Sequence, residues 1–199
     1  MKKIAILLSG RGSNFMALSD HIQAGRIDGK IVGVLSNIPG AAGLAEAERR
    51  GYFTRTIPSL GRKRHDFDRE VVEWLQGQQT EIVCLAGFMR LLSPLFVEAF
   101  PNSILNIHPS LLPAFPGLHA QRQALEWGAR ITGCTVHFVD EKLDHGPIIL
   151  QKSVPILDDD TEESLSRRML EQEHLAYPEA LAEICADRIR IQNRRCLRV

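Results

Sequence analysis

The chain has 199 residues, a length that fits one large domain or two very small ones. A single domain of this size is able to fold without cross-links. Its 24 basic and 24 acidic residues cancel to a formal charge of zero, so no global field attracts nucleic acid or an anionic membrane. The four cysteines, Cys84, Cys134, Cys185 and Cys196, lack metal-site spacing, and no segment approaches the roughly 20 apolar residues of a membrane span. The composition predicts a soluble, cytoplasmic protein in a reducing compartment.

Six short apolar runs of strand length occur along the chain. They cover residues 3–9, 30–37, 81–87, 103–108, 132–140 and 147–156. The first four are continuously apolar, which is typical of strands covered on both faces. The fifth, in "CTVHFVD", alternates between apolar and polar residues and indicates an antiparallel or an edge strand.

Helical patterns fill the gaps between these runs, at 14–24, 41–50, 67–78 and 118–128. Asp160 with Glu163 resembles a capping box that opens a long C-terminal helix, and Pro178 is expected to end or kink that helix. The alternation of strands and helices predicts right-handed βαβ units. The expected fold class is therefore α/β, as a single domain with a mostly parallel, doubly wound, Rossmann-like sheet.

The loop between the first strand and the first helix, in "LLSGRGSNF", carries Gly10, Gly12, Ser13 and Asn14. In a parallel sheet this turn lies at the carboxyl edge, where ligands bind. Glycines let backbone N–H groups converge on an anion, and the helix N-terminus adds unpaired donors. The string is not G-x-G-x-x-G, because Phe15 stands at the last glycine, and it is not a P-loop. It predicts a site for a compact phosphomonoester, with a plain glycine turn capped by Ser13 as the alternative.

A second candidate site lies in "ILNIHPSLLPAFPG", where Asn106 and His108 end the fourth apolar run. Residues i and i+2 of a strand share a face, so the amide and the imidazole leave the strand on the same side. Prolines at 109, 113 and 116 stiffen the segment that follows. Asp144 lies in the polar turn "DEKLDHGP", which is able to return a carboxylate over the sheet edge. The alternatives are a structurally satisfied histidine and a turn-forming aspartate, and spacing alone does not show that Asp144 meets His108.

These motifs resemble those of one family. The segments that carry the resemblance are "SGRGSN", "LAGFMRLLS", "LNIHPSLLPAFPGLHAQRQAL", "TVHFVDEKLDHGPIILQ" and "LEQEHLAYP". They look like the folate-dependent phosphoribosylglycinamide (glycinamide ribonucleotide, GAR) formyltransferases of de novo purine (IMP) biosynthesis, in order, from about Lys3 to about Asp187. The string "NIHPSLLP" alone is less specific, because other folate formyltransferases and formyl-folate hydrolases have versions of it, whereas "SGRGSN", "PGLHAQRQAL" and "QEHLAYP" separate the GAR enzymes from them.

The resemblance implies roles for individual residues, position by position. Asn106, His108 and Asp144 match the catalytic trio of the family. The GAR site is matched by Gly12, Ser13 and Asn14 at the phosphate and by Glu173 at the glycinamide end. The positions that line the folate site are Arg64, Met89, Arg90, Leu91 and Leu92, together with Asn106.

The resemblance also implies a division of the chain and two modest departures from the family. A phosphate-binding half covers about 1–100, and a catalytic and folate-binding half covers about 101–187. Arg11 fills a variable slot of the phosphate loop, and His145 follows the catalytic aspartate where the family tolerates other residues. The basic tail, 188–199, matches no family motif and is expected to bear on oligomeric state rather than on chemistry.

The implied reaction moves the formyl group of 10-formyltetrahydrofolate to the primary amine of GAR through a tetrahedral alkoxide. Asn106 and a protonated His108 would stabilise that oxyanion, and Asp144 would favour and orient the imidazolium. No covalent enzyme intermediate, metal or cofactor is expected, because the amine is already a nucleophile and the folate is a co-substrate. The expected partners are the two small-molecule substrates, with no nucleic acid and no membrane, and the chain is expected to be a monomer or a homodimer.

Three other functions stay open on the sequence alone. A 10-formyltetrahydrofolate hydrolase would use the same trio with water as the acceptor, but such enzymes usually carry an N-terminal regulatory domain, and this chain starts at its first strand. A methionyl-tRNA formyltransferase would need a C-terminal RNA-binding domain, for which 188–199 is too short. A non-catalytic phosphosugar-binding protein of the same fold is the third.

Overall fold

A computed structural model describes all residues, Met1–Val199. Nine strands and six helices follow one another as β1 (Lys2–Leu8), α1 (Ser13–Gln23), β2 (Gly29–Ser36), α2 (Ala42–Arg49), β3 (Thr54–Thr56), α3 (Arg64–Gly77), β4 (Ile82–Leu85), α4 (Pro94–Ala99), β5 (Ile104–His108), α5 (Ala120–Trp127), β6 (Ile131–Phe138), β7 (Ile148–Pro155), α6 (Glu162–Cys185), β8 (Ile189–Gln192) and β9 (Arg195–Arg198). All six predicted strands and the four predicted inner helices are confirmed. The sequence patterns missed the short β3 and α4 and both strands of the basic tail.

The chain forms two compact units, Met1–Asn106 and Ile107–Val199, with the boundary inside β5. In the first unit the strand order is β3-β2-β1-β4-β5, and every neighbouring pair is parallel. This is the doubly wound order, which reverses direction between β1 and β4. The loops that follow β1 and β4 therefore meet at the carboxyl edge of the sheet, at the point where open α/β sheets bind ligands.

The central position of β1 in the sheet explains why its sequence is continuously apolar. Ile4 to Leu8 are completely buried, because a strand in the middle of a doubly wound sheet is covered on both faces. The predicted α/β fold with a mostly parallel sheet is confirmed. The expectation of a single formyltransferase domain divided near residue 100 stays a prediction.

In the second unit the strand order is β6-β7-β9-β8, and β6 pairs with β7 in antiparallel register. The antiparallel interpretation of "CTVHFVD" is therefore confirmed. The alternation of polar residues there does not mark a solvent face, since seven of the eight residues of β6 are buried. Thr135 and His137 find polar partners inside the protein, whereas the buried hydroxyl of Thr132 has none.

Helix α6 packs against β6 and β7, and its limits differ from the sequence prediction. The capping box is formed by Thr161 and Ser164, not by Asp160 and Glu163: Ser164 N donates to Thr161 Oγ1 (3.1 Å) and Thr161 N donates to Ser164 Oγ (2.9 Å). The helix does not end at Pro178 but continues to Cys185. An interior proline costs about 3 kcal/mol, and the burial of Ala180, Leu181 and Cys185 beyond it offsets that cost.

The basic tail folds as a hairpin that the sequence prediction missed. Strands β8 and β9 pair in antiparallel register, with Gln192 opposite Arg195. The two residues between them, Asn193 and Arg194, have φ of 46° and 66°, as a two-residue turn of type I′ requires. Strand β9 also pairs with β7, through Arg195 and Ile148. No helix of the protein is both long and apolar enough to cross a membrane.

Candidate active site

In the glycine loop after β1, Gly12 packs closely against Gly43. Gly12 is the N-cap of α1 with φ 75°, and no side chain caps the helix, so the alternative in which Ser13 caps it is wrong. A Cβ on Gly12 would lie 2.7 Å from the Cα of Gly43, whose N–H donates to the Gly10 carbonyl (2.9 Å). Gly12 is therefore required twice, for its left-handed backbone and for this close approach.

The start of α1 has the features of an anion site. The first turn of a helix presents N–H groups that have no carbonyl partner within the helix, at the positive end of its dipole. In α1 that turn begins with Ser13 and Asn14 and contains no acidic residue. Its electrostatics therefore favour a phosphate, as the sequence pattern predicts.

A polar network joins the loops at the carboxyl edge of the first unit. Ser9 Oγ donates to Asn37 Oδ1 and accepts from the backbone N–H of Met89 (2.8 Å). Asn37 Nδ2 in turn donates to Ser59 Oγ (3.0 Å), and both of these side chains are buried. Ser9 thus ties the glycine loop to the Met89 segment. The sequence reasoning did not single out Ser9, Asn37 or Ser59, although Ser9 and Asn37 end apolar runs.

The segment from Met89 to Leu92 follows β4 and exposes apolar surface. Met89 and Leu91 are 67% and 52% exposed, while the Arg90 guanidinium lies 5.1 Å from the centre of the Phe67 ring. Large exposed apolar side chains beside a polar edge are typical of a ligand-binding wall. Arg64 is the first residue of α3 and is exposed.

In the second unit the candidate chemistry centres on His108, the last residue of β5. Its Nδ1 lies 3.4 Å from Asp144 Oδ2, and its Nε2 lies 2.9 Å from the carbonyl oxygen of Phe115. The same carboxylate oxygen accepts from the backbone N–H of Gly117 (2.8 Å). The proline-rich loop after β5 thus turns back to contact both His108 and Asp144. Asn106, two residues earlier on β5, is half-buried.

These contacts determine the protonation that suits His108. A carbonyl oxygen only accepts, so Nε2 must carry a hydrogen to bond Phe115. An ionised carboxylate also only accepts, so Nδ1 needs a hydrogen to face Asp144 favourably. An imidazolium would satisfy both neighbours at once, and beside an ionised Asp144 it would form a buried ion pair.

Thr135 on β6 anchors the loop that surrounds His108. Its hydroxyl donates to the Ser110 carbonyl (2.7 Å) and accepts from the backbone N–H of Leu112 (3.0 Å). Gln151 on β7 donates both to that hydroxyl and to the Leu112 carbonyl, each at 2.9 Å. The path of the loop is therefore fixed by two neighbouring strands of the same unit.

His137, which the sequence reasoning did not select, lies on the other side of the carboxylate. Its Nε2 is 3.9 Å from Asp144 Oδ1, and its Nδ1 bonds the Phe138 carbonyl (2.8 Å). Burial lowers the pKa of His137, and the nearby His108 adds to that effect, whereas the Phe138 carbonyl and Asp144 oppose it. Asp144 is thus flanked by two histidines, of which His137 is held neutral. The detectable signal was a histidine on the buried strand that leads into the Asp144 turn.

Glu173 lies on α6, where it is buried. Burial raises the pKa of the Cys134 thiol to about 12, and the Glu173 carboxylate contributes as the next cause. Glu173 therefore lies close to β6, inside the second unit. A buried carboxylate is a suitable partner for an ammonium or amine group of a ligand.

Comparisons with known proteins show which family the chain resembles. A family model described as "Formyl transferase" matches residues 2–181. The "Phosphoribosylglycinamide formyltransferase" of Escherichia coli (strain K12) is 43% identical over 191 residues, covering 96% of this chain and 90% of that protein. The crystal structure of "glycinamide ribonucleotide transformylase 1" from Symbiobacterium toebii superposes with a TM-score of 0.98 at 48% identity, covering 100% of this chain and 94% of that one.

A longer relative is also similar. The "Trifunctional purine biosynthetic protein adenosine-3" of Drosophila melanogaster is 49% identical over 189 residues, which are 91% of this chain but 14% of that protein. The chain therefore spans about one seventh of the length of this trifunctional relative. The resemblance carried by the sequence motifs is confirmed, and the chain belongs to the formyl transferase family.

Proposed function

We propose that the protein is a GAR formyltransferase, which transfers the formyl group of 10-formyltetrahydrofolate to the primary amine of 5′-phosphoribosylglycinamide and yields formyl-GAR and tetrahydrofolate. The observation that carries the proposal is the buried His108–Asp144 pair at the end of β5, in a chain that is 43% identical to the E. coli enzyme of that name. A buried ion pair is costly to maintain. Its place at a strand end, beside a rigid loop, suits catalysis rather than packing.

His108 would stabilise the oxyanion through Nδ1. Nε2 already bonds the Phe115 carbonyl, whereas Nδ1 is 3.4 Å from Asp144, an ion-pair distance longer than a good hydrogen bond. A developing alkoxide beside this edge of the ring would therefore compete with Asp144 for the Nδ1 hydrogen. The amide of Asn106, on the same strand, would add a second donor. Removal of one such donor typically costs about 10²–10³ in kcat.

Asp144 would have two tasks in the transfer. It balances the imidazolium charge, and it is able to receive the proton that the amine loses as the C–N bond forms, directly or through one water. Its Oδ2 accepts from Gly117 N–H, but an ionised carboxylate has about four acceptor positions, so capacity remains. Neutral His137 near Oδ1 leaves Asp144 with one cationic neighbour rather than two.

The substrate contacts follow from the local chemistry of each segment. The start of α1, with Gly12, Ser13 and Asn14, would bind the GAR phosphate, and Glu173 would bind the glycinamide amine. The exposed apolar side chains of Met89 and Leu91, with Arg90 and Leu92, would contact the folate together with Asn106. Arg64 would pair with the carboxylates of the glutamate tail of the folate. No further cofactor takes part, because the folate itself delivers the carbon.

The proposal includes the cellular setting. The partners are the two small molecules, with no nucleic acid or membrane, and the protein acts in the cytoplasm as a monomer or a homodimer. Light scattering after size-exclusion chromatography would distinguish the two oligomeric states. A binding assay with tRNA would contradict the proposal if it gave submicromolar affinity at physiological salt.

Deformylation of a 10-formyl folate analogue, followed by absorbance with and without GAR, tests the function. The expected result is deformylation only when GAR is present, with formyl-GAR produced in equal amount by mass spectrometry. Deformylation at the same rate without GAR would instead identify a hydrolase. Binding of GAR with no turnover under either condition would favour a phosphosugar-binding protein.

A further inference from the structure

The C-terminal hairpin contacts the turn that carries Asp144. Arg194, at the tip of that hairpin, donates through Nη2 to the backbone carbonyl of His145. Its Nη1 lies 3.0 and 3.1 Å from the two ring nitrogens of His145 and 4.0 Å from Asp140 Oδ2. One side chain of the tail thus reaches the residue next to Asp144.

The turn from Asp140 to His145 is closed by its own ends. Asp140 Oδ1 accepts from the Lys142 N–H (2.9 Å), and Oδ2 accepts from His145 Nδ1 (2.8 Å). Arg194 Nη1 is about equally far from both ring nitrogens, so the guanidinium lies against the face of the imidazole and not on the lone pair of one nitrogen. Asp140, His145 and Arg194 therefore form one contiguous cluster.

The backbone around Asp144 needs such support. Asp144 has φ 48°, a left-handed conformation that residues with a side chain adopt less readily than glycine does. After the turn, Gly146 is fixed against β6, since a Cβ there would lie 1.8 Å from the Phe138 carbonyl oxygen. Arg194 contacts His145, which lies between Asp144 and Gly146.

We propose that Arg194 is a positioning residue for formyl transfer, which fixes His145 so that the Asp144 carboxylate stays against His108. This inference rests on the proposed function of Asp144. The effect is geometric and not electrostatic. Arg194 is 56% exposed and comes no closer to Asp140 than 4.0 Å, and an exposed ion pair at that distance contributes little to stability. The tail that matched no family motif thereby takes part in the chemistry.

Arg194→Gly separates this role from a structural role of the hairpin. Glycine adopts positive φ without strain, and Asn-Gly is the favoured sequence of a type I′ turn. The substitution therefore keeps or strengthens the turn while it removes the guanidinium. Arg194→Lys keeps the charge but cannot contact the His145 carbonyl and ring together. Arg190→Ala, which removes an exposed arginine of β8 in the same hairpin, is the matched control.

The expected result for Arg194→Gly is a kcat about 10-fold or more below wild type, because a small misplacement of a catalytic group costs up to about 10² in rate. The KM for GAR and the melting temperature should stay at wild-type values or improve. Arg194→Lys should give an intermediate kcat, and Arg190→Ala should match wild type. If Arg194→Gly has a lower melting temperature than wild type, the test passes to Arg194→Lys, which should melt like wild type. A reduced kcat of Arg194→Lys then supports the positioning role, and an unchanged kcat of Arg194→Lys overturns it.

A double-mutant cycle with Asp144→Asn shows whether Arg194 acts through Asp144. Arg194→Gly should have no further effect on kcat once Asp144 has lost its charge. Multiplicative losses, or equal losses in Arg190→Ala, would overturn the positioning role. A wild-type kcat in Asp144→Asn alone would contradict the proposed function, whereas a crippled Asp144→Asn with a fully active Arg194→Gly would contradict only the role of Arg194.

Discussion

The imidazole of His108 and the carboxylate of Asp144 lie 3.4 Å apart, with side chains that are 6% and 8% exposed. Each would be expensive to bury alone, and the pair is held by Phe115 and Gly117 of one loop. The prolines that exclude regular structure after His108 are part of this arrangement. They stiffen the loop whose backbone carbonyl and N–H bind the two side chains.

The two residues should act as a unit in catalysis. Asp144→Asn keeps the size of the side chain but removes its charge, so His108 loses the partner of its cationic form. We expect kcat to fall by about 10²–10³ in Asp144→Asn and in His108→Asn, as for the loss of an oxyanion stabiliser. The double mutant should lose little more than either single mutant. Steady-state kinetics with melting temperatures measure this, and near-wild-type turnover in Asp144→Asn would reduce that residue to a turn former.

Two threonines on β6 should respond in opposite ways to the same change. Thr135→Val leaves the Leu112 N–H without its partner and should destabilise the protein by about 1–3 kcal/mol. It should also lower kcat, because the loop that orients His108 loses its anchor. Thr132 is 2% exposed and its hydroxyl has no hydrogen-bond partner, so Thr132→Val should be neutral or stabilising. Chemical denaturation of both variants tests the pair, and equal destabilisation would refute the anchoring role of Thr135.

An acidic side chain at the start of α1 should have opposite effects on helix stability and on phosphate binding. Ser13→Asp places a negative charge in a first turn that has none, which should stabilise the helix by about 0.3–1 kcal/mol. The same charge should repel the GAR phosphate and raise the KM for GAR, with little change in the KM for the folate. Ser13→Asn is the uncharged control. An unchanged KM for GAR in Ser13→Asp would place the phosphate elsewhere.

Glycines 10 and 12 should differ sharply in tolerance. A Cβ on Gly10 meets no atom within 4 Å, whereas on Gly12 it would meet Gly43 at 2.7 Å in a left-handed backbone. Gly10→Ala should therefore melt close to wild type, and Gly12→Ala should melt markedly lower. Thermal melts of both variants decide between a steric requirement at Gly12 and a general need for a flexible loop, in which case both would lose stability.

His137 should make the protein less stable in mild acid. Burial lowers its pKa below the ordinary value of 6.5, so the unfolded chain binds a proton at a pH where the folded protein does not. Its contribution to stability is then complete above about pH 6.5 and decreases as the pH falls below that value. In His137→Gln the free energy of unfolding should change less with pH between pH 7.5 and pH 5 than in the wild type. Urea denaturation at both pH values tests this. An equal change in the variant and the wild type would show that other groups cause the pH dependence.

Arg64 should affect the folate tail rather than the formyl transfer itself. If its guanidinium pairs with the glutamate carboxylates, lengthening the polyglutamate tail should change the affinity of the wild type more than that of Arg64→Ala. Arg69→Ala, on the same helix and also exposed, is the control. An identical response to tail length in wild type and Arg64→Ala would remove Arg64 from the site.

The sequence by itself determined where six of the nine strands are and which of their ends carry polar side chains. Continuous apolar runs such as 3–9 specify buried parallel strands, because both faces of such strands are covered. Residues such as Asn106 and His108 stand out because packing alone would favour apolar side chains at those positions. The family motifs around them then indicated the formyl transferase family, to which the comparisons assign the chain.

Only the tertiary structure decided which of these polar groups meet. The contact of Asp144 with His108 depends on the path of two loops, and that path is fixed by Thr135 and by hydrogen bonds distant in sequence. Likewise, local signals predicted that the last helix ends or kinks at Pro178, but burial of the turns beyond it carries the helix on to Cys185. The contact of Arg194 with His145 joins residues 49 positions apart, and no local pattern encodes such a pair because its energy arises only when the chain has folded.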